Sequence, residues 1–209
     1  MKLKFGIVLI ALFLISAGSY AQFTQYGVKA GLNLSNLTVD DTSDRNLRTG
    51  FHAGVFGRLG ISEFFSLQPE LLYTTKGFTN NYDLAVASSE VDFNLNYIEI
   101  PVNVVYHLSE DFAFQLGPYV GYLAGANVET NNEVLDFFDF ETDSELDRDN
   151  FKSIDFGITA GLDFTLEQFI FGFKYNMGLT GVAKDNIPGE LLGDEAKNSV
   201  IQVYAGILF

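Results

Sequence analysis

The sequence predicts an all-β protein: an eight-stranded antiparallel up-and-down transmembrane β-barrel with short periplasmic turns and long extracellular loops. Three observations predict it. Apolar residues recur at every second position through eight segments, most of them ten or more residues long. The connections between those segments alternate strictly between very short and long. Every charged residue inside the segments falls on one face. Globular strands average about five or six residues, whereas strands tilted across a bilayer need about 9–11. Tight turns on one side and longer loops on the other are the pattern of a spanning barrel.

The first segment reads as an address. Lys2 and Lys4 precede an apolar run from Phe5 to Ile15, and the small residues of Ser19-Tyr20-Ala21 follow. Positive charge, apolar stretch and small-x-small site describe a secretory leader over 1–21, cut before Gln22. The run is too short for a spanning helix, which takes about 20 residues. The expectation is then one barrel domain over 22–209, placed in the outer membrane of a Gram-negative bacterium.

The strands follow in order. Val28, Ala30, Leu32 and Leu34 alternate with Gly27, Lys29, Gly31 and Asn33. The second segment carries Phe51, Ala53, Val55, Leu59 and Ile61, and the third Phe65, Leu67, Leu71 and Tyr73. The fourth has Ile98, Ile100, Val102, Val104 and Tyr106, and the fifth Phe114, Leu116, Val120 and Tyr122. The sixth runs from Ile154 to Phe164, the seventh from Phe169 to Met177, and the eighth from Ile201 to Phe209. Short turns are expected at Ser62-Glu63-Phe64, Leu108 to Asp111 and Leu166-Glu167-Gln168. Long connections are expected over Thr38–Thr49, Thr79–Asp92, Val128–Asn150 and Thr180–Lys197. Both chain ends then lie on the periplasmic side.

A charge on the lipid face costs about 2–4 kcal/mol at mid-membrane. The uncharged face is therefore read as lipid-facing, and the Gly-rich polar face as the interior. Aromatic residues near the strand ends, such as Tyr26, Phe65, Tyr106, Phe112, Phe164 and Phe209 on one side and Phe51, Phe78, Phe93 and Phe151 on the other, are read as two girdles. Four cations (Lys29, Arg58, Lys76, Lys174) and four anions (Glu70, Glu99, Asp155, Asp163) are assigned to the lumen. Eight strands leave an interior just wide enough for side chains to fill. Buried charges must pair, so a balanced set predicts a self-neutralising plug with negligible solute conductance.

Composition removes other classes. An apolar share of 47% excludes a disordered chain. A net charge of −15 excludes a nucleic-acid partner, which needs a basic face. Cysteine is absent, so there is no disulfide frame or thiolate catalyst. No cofactor, metal or catalytic residue is predicted. His52 and His107 fall near opposite rims and cannot share a site, and no Gly-x-Ser-x-Gly motif is present.

The connection Val128–Asn150 holds nine acids and one base, Arg148. It lacks the glycine and ligand spacing of a dedicated calcium loop. Leu135, Phe137, Phe138 and Phe140 interrupt the acids and make this loop, 128–150, the candidate surface for a protein partner. The terminal Phe209 ends an amphipathic strand, the kind of signal read by the barrel-assembly machinery. Membrane lipid is the remaining expected partner.

Three segments also resemble a known family. Tyr97-Ile98-Glu99-Ile100-Pro101, Gly117-Pro118-Tyr119-Val120-Gly121 and Asp155-Phe156-Gly157 are similar to motifs of the PorT-like small outer-membrane β-barrel family. The opening Gly27-Val28-Lys29-Ala30-Gly31 and the final Phe209 fit the same pattern, over Gln22 to Phe209. The resemblance implies an OmpX-like eight-stranded barrel, and for one group of members a link to protein secretion. Two functions follow for comparison: a non-enzymatic outer-membrane structural or interaction module, or accessory to secretion; and a soluble lipocalin-like barrel binding a small apolar ligand, which would need an apolar interior.

Overall fold

The computed structural model describes residues 24–38, 47–84, 87–131, 151–182 and 196–209. The expected leader, 1–21, the part of the acidic connection with Leu135, Phe137, Phe138 and Phe140, and most of two other long connections lie outside the described residues.

Eight strands form one closed barrel in sequence order. They are β1 (Thr24–Thr38), β2 (Arg48–Gly60), β3 (Phe65–Leu84), β4 (Ala87–His107), β5 (Phe112–Asn131), β6 (Ile154–Leu166), β7 (Phe169–Gly181) and β8 (Lys197–Leu208). Each strand pairs antiparallel with its neighbours, and β8 closes on β1 through the register Lys29↔Gly206 and Gly31↔Tyr204. Closure satisfies the backbone groups that a sheet edge would leave bare in hydrocarbon.

The three tight turns sit at one end. In two of them the same device closes the hairpin. Ile61 N–H donates to Phe65 O and Leu108 N–H to Phe112 O, both at 2.8 Å. Ser62 Oγ and Ser109 Oγ accept from the Phe65 and Phe112 amides. The third turn, after β6, places Glu167 in the left-handed region at φ 55°.

Inward and outward residues alternate with the period of a strand. Leu116, Val120, Ile158, Phe171, Phe173 and Val203 point outward and are half-exposed. Among the described residues, no charged side chain lies on this outer face between the aromatic ends of the strands. Aromatic pairs mark those ends: Phe65 with Tyr106 (5.1 Å between centroids) and Phe112 with Phe164 (4.9 Å) by the tight turns, and Phe51 with Tyr73 (5.9 Å) at the other end. The exterior is greasy and the interior polar. The lipocalin-like alternative requires the reverse inside the barrel and does not hold.

Three sequence expectations are corrected. The stretch Thr79–Asp92 is not a free loop: the β3–β4 ladder continues from Thr79↔Asp92 to Leu84↔Ala87. The start of the acidic connection, Val128 to Asn131, is likewise strand, paired with β4 as far as Glu90↔Asn131. The polar residues there suggested loop, but above a bilayer a ladder needs no apolar face. Phe151 is not a girdle residue: it is 0% exposed, tucked inside the rim between β5 and β7, where Leu123 N–H bonds Ser153 O and Lys152 N–H bonds Val182 O.

Candidate functional site

The feature with chemistry is the lumen. All eight charged residues assigned to it from sequence are buried there. They stack in three layers, each pinned by strands from opposite sides of the barrel.

The innermost layer lies toward the tight turns. Arg58 Nη2 on β2 reaches Asp163 Oδ2 on β6 at 3.0 Å, and its Nε donates to Gln68 Oε1 at 2.8 Å. Gln115 Nε2 donates to Asp163 Oδ1 at 2.7 Å, and the Tyr204 hydroxyl donates to the same oxygen. Charge is balanced within this layer.

The middle layer is centred on Glu70. Its carboxylate receives Lys29 Nζ at 2.5 Å, Lys174 Nζ at 2.6 Å, Gln68 Nε2 at 2.8 Å and Asn103 Nδ2 at 3.1 Å. Two ammoniums therefore share one carboxylate. Lys29 also lies over the Tyr204 ring, 4.5 Å from its centroid, a favourable cation–π geometry.

The outer layer inverts that ratio. Lys76 Nζ meets Glu99 Oε2 at 2.5 Å and Asp155 Oδ2 at 3.0 Å, so one ammonium serves two carboxylates. The rings of Tyr119 and Tyr97 stand 4.4 Å and 5.3 Å from the same nitrogen. Asn198 Nδ2 (3.0 Å), the Tyr119 hydroxyl (3.3 Å) and Thr180 Oγ1 (3.3 Å) complete the shell of Asp155.

Tyr119 and Tyr204 fit because of glycines opposite them. A Cβ on Gly157 would collide with the Tyr119 ring, and one on Gly172 would collide with the Tyr204 ring and hydroxyl. These inward glycines are cut-outs for aromatic side chains.

The histidines are placed apart. His52 is fully buried, with Nδ1 2.7 Å from Asn33 Oδ1. Asn33 Nδ2 donates to Thr74 Oγ1 and Thr75 O; its Oδ1 accepts, so His52 Nδ1 carries the proton. Asp155 is engaged elsewhere, with Lys76. His107 Nε2 lies 2.9 Å from Ser66 Oγ at the mouth by the tight turns. This pair lines a vestibule of about 810 Å³ with Arg58, Ser62, Phe64 and Leu108. No carboxylate bonds the other His107 nitrogen among the described residues, so the third member of a hydrolytic triad is not assembled. No group of three or more His, Asp or Glu able to hold a metal is present among the described residues.

Sequence reasoning missed the apolar part of the interior. Phe56, Ile170 and Leu208 form a buried cluster inside the barrel. Leu95, Leu123, Phe151, Val182 and Ala196 are buried toward the outer end. Apolar side chains thus share the interior with the polar layers. Phe209 stays outside, 74% exposed, with its amide bonded to Tyr26 O at 2.7 Å.

A closed barrel, apolar outside and packed with paired charges inside, with aromatic pairs at both ends, defines a small integral membrane barrel protein. The chain belongs to the outer membrane protein beta-barrel domain family, whose model matches residues 20–184. Membrane lipid is therefore its surroundings. Similar solved structures include Ail, the attachment invasion locus protein of Yersinia pestis (14% identity, 88% of this chain and 98% of that chain covered, TM-score 0.45). Neisserial surface protein A shares 13% identity over 88% of this chain and 96% of that one, with TM-score 0.48. The N-terminal barrel of OprF from Pseudomonas aeruginosa shares 9%, with 90% and 100% covered and TM-score 0.37. No curated protein matches the chain by sequence.

Proposed function

We propose that this outer-membrane barrel is non-enzymatic, closed to solutes, and acts through its outer end as a structural or interaction module, or as an accessory to secretion in the PorT-like branch. In this reading the leader 1–21 is removed before Gln22, the barrel domain is 22–209, Phe209 is presented to the barrel-assembly machinery, and Leu135, Phe137, Phe138 and Phe140 meet a protein partner.

One observation carries the reading: every lumen charge is paired, and the middle and outer layers differ in sign of excess. The middle layer has one cation too many and the outer layer one anion too many. An ion of either sign moving along the axis meets a layer that repels it, with apolar side chains to pass as well. Planar bilayers containing the folded protein test this. Background-level conductance in 1 M salt is expected; sustained steps of nanosiemens size would refute a closed lumen. Photocrosslinking from position 137 in intact outer membranes tests the loop. A reproducible protein adduct is expected, and crosslinks to lipid alone would remove the interaction role.

A further inference from the structure

The mouth by the tight turns is built from a repeated segment. Ile61-Ser62-Glu63-Phe64-Phe65 and Leu108-Ser109-Glu110-Asp111-Phe112 share one pattern: apolar, Ser, Glu, any residue, Phe. In each, the Ser hydroxyl accepts from the Phe amide, which fixes the turn. Both turns line the vestibule of about 810 Å³, and each gives it a Ser, a Glu and a bulky apolar side chain. That volume lies in the range of ligand sites.

The floor of the vestibule is Arg58, only 5% exposed, in the layer that closes the lumen at this end. Its Nε and Nη2 are held by Gln68 Oε1 and Asp163 Oδ2, and its Nη1 meets no acceptor among the described residues. Asp163 is itself taken up by Gln115 and Tyr204. In the same cavity His107 engages Ser66 Oγ through Nε2, and its Nδ1 meets no partner among the described residues. With Ser66 donating to Nε2, Nδ1 carries a proton. The cavity then offers two N–H donors without acceptors, one on a guanidinium already fixed in place, which suits a carboxylate.

The entrance has the opposite sign. Glu63 and Glu110 line it, Asp111 and Glu167 stand at the same end, and no Lys or Arg lies on the three tight turns. A bare anion is repelled there. A ligand with an anionic tip and a cation behind it matches both levels. Phe64 and Leu108, both more than half exposed in the vestibule, are placed to cover an apolar group next to the tip. Because the Arg58 layer closes the floor, a chain enters by an end, and an ammonium end would meet the guanidinium.

We propose that this vestibule binds the free carboxy-terminus of a polypeptide, with an apolar last residue and Lys or Arg shortly before it. The carboxylate meets Arg58 Nη1 and His107 Nδ1, the last side chain lies against Phe64 and Leu108, and the cations meet Glu63 and Glu110. This goes beyond the reading of the outer end and does not depend on it.

The test is calorimetric titration of the full barrel in micelles, with empty micelles as the blank. Heat-dependent gel migration checks folding of every sample. The probe is an N-acetylated tetrapeptide of two lysines, alanine and a carboxy-terminal leucine. Saturable binding is expected. The same peptide with a carboxy-terminal amide, which needs no change in the protein, is expected to bind about tenfold more weakly, as is the free acid to His107→Leu. The double variant Glu63→Gln/Glu110→Gln is expected to bind the lysine peptide about threefold more weakly and a glutamine-for-lysine peptide as wild type does. Equal binding of acid and amide, or no saturable binding at millimolar peptide, would overturn the proposal. Displacement of the peptide by an equal concentration of short-chain phosphatidylethanolamine would overturn the assignment to a polypeptide.

Discussion

Replacing Glu70 by Gln is the sharpest probe of the lumen. Glu70 is the acceptor for Lys29, Lys174, Gln68 and Asn103. Glutamine keeps the shape, removes the charge, and turns one acceptor into a donor facing donors. Two buried ammoniums then lose their only counter-ion in that layer. Breaking a buried pair by removing one partner costs about 3–5 kcal/mol, and here one change strands two cations, so the upper part of that range applies. Lys29→Met is the matched control. It leaves Glu70 paired with Lys174 and removes one charged hydrogen bond, at about 1.5–3 kcal/mol. Tryptophan is absent, so urea unfolding in micelles must be followed by far-ultraviolet circular dichroism or gel migration. With a slope of about 2 kcal/mol per M, the Glu70→Gln midpoint is expected to fall by about 2 M. The Lys29→Met midpoint should fall by roughly half as much. If Glu70→Gln proves no more costly than Lys29→Met, the shared-carboxylate account fails.

Two further perturbations probe the faces. Leu116→Arg places a cation on the outward face of β5, near the middle of the stretch from Phe112 to Tyr122, and should cost about 2–4 kcal/mol of folding free energy in bilayers; an unchanged midpoint would mean that face does not meet hydrocarbon. Gly172→Ala pushes a methyl into the Tyr204 ring and should destabilise by about 1–3 kcal/mol, measured by the same urea titration, whereas Ala at outward Gly57, where a Cβ has only loose contacts, should be nearly neutral.

Much of this architecture can be read in the residues because a bilayer punishes errors heavily. Lys29, Arg58, Glu70, Lys76, Glu99, Asp155, Asp163 and Lys174 have only one tolerable side of the sheet, so alternation alone puts them inside. Their partners are another matter. Nothing along the chain says that Glu70 takes two lysines while Lys76 takes two acids, because those contacts span β1, β3, β4, β6 and β7. Inward apolar residues leave no signal either. Phe56 falls on the inward register with His52 and Arg58, but nothing in the chain says that an aromatic there packs with Ile170 and Leu208 rather than facing water. The extension of β3 through Thr79-Asn80-Asn81 reads as loop because strand above a membrane has lost the apolar alternation that identifies strand within it. Phe151 looked interfacial because an aromatic at a strand end is ambiguous between facing lipid and capping a lumen.

The seam between β1 and β8 has a consequence for biogenesis. Lys29 meets its neighbour Gly206 only once β8 is in place, and the Phe209 amide bond to Tyr26 O ties the far end of that strand to the opening one. Without β8, β1 and β7 would each leave an unpaired edge, and bare backbone groups are not tolerated in hydrocarbon, so a barrel lacking that strand has no stable place in the bilayer. Closure of the sheet against lipid thus depends on the one strand that pairs with both β7 and β1.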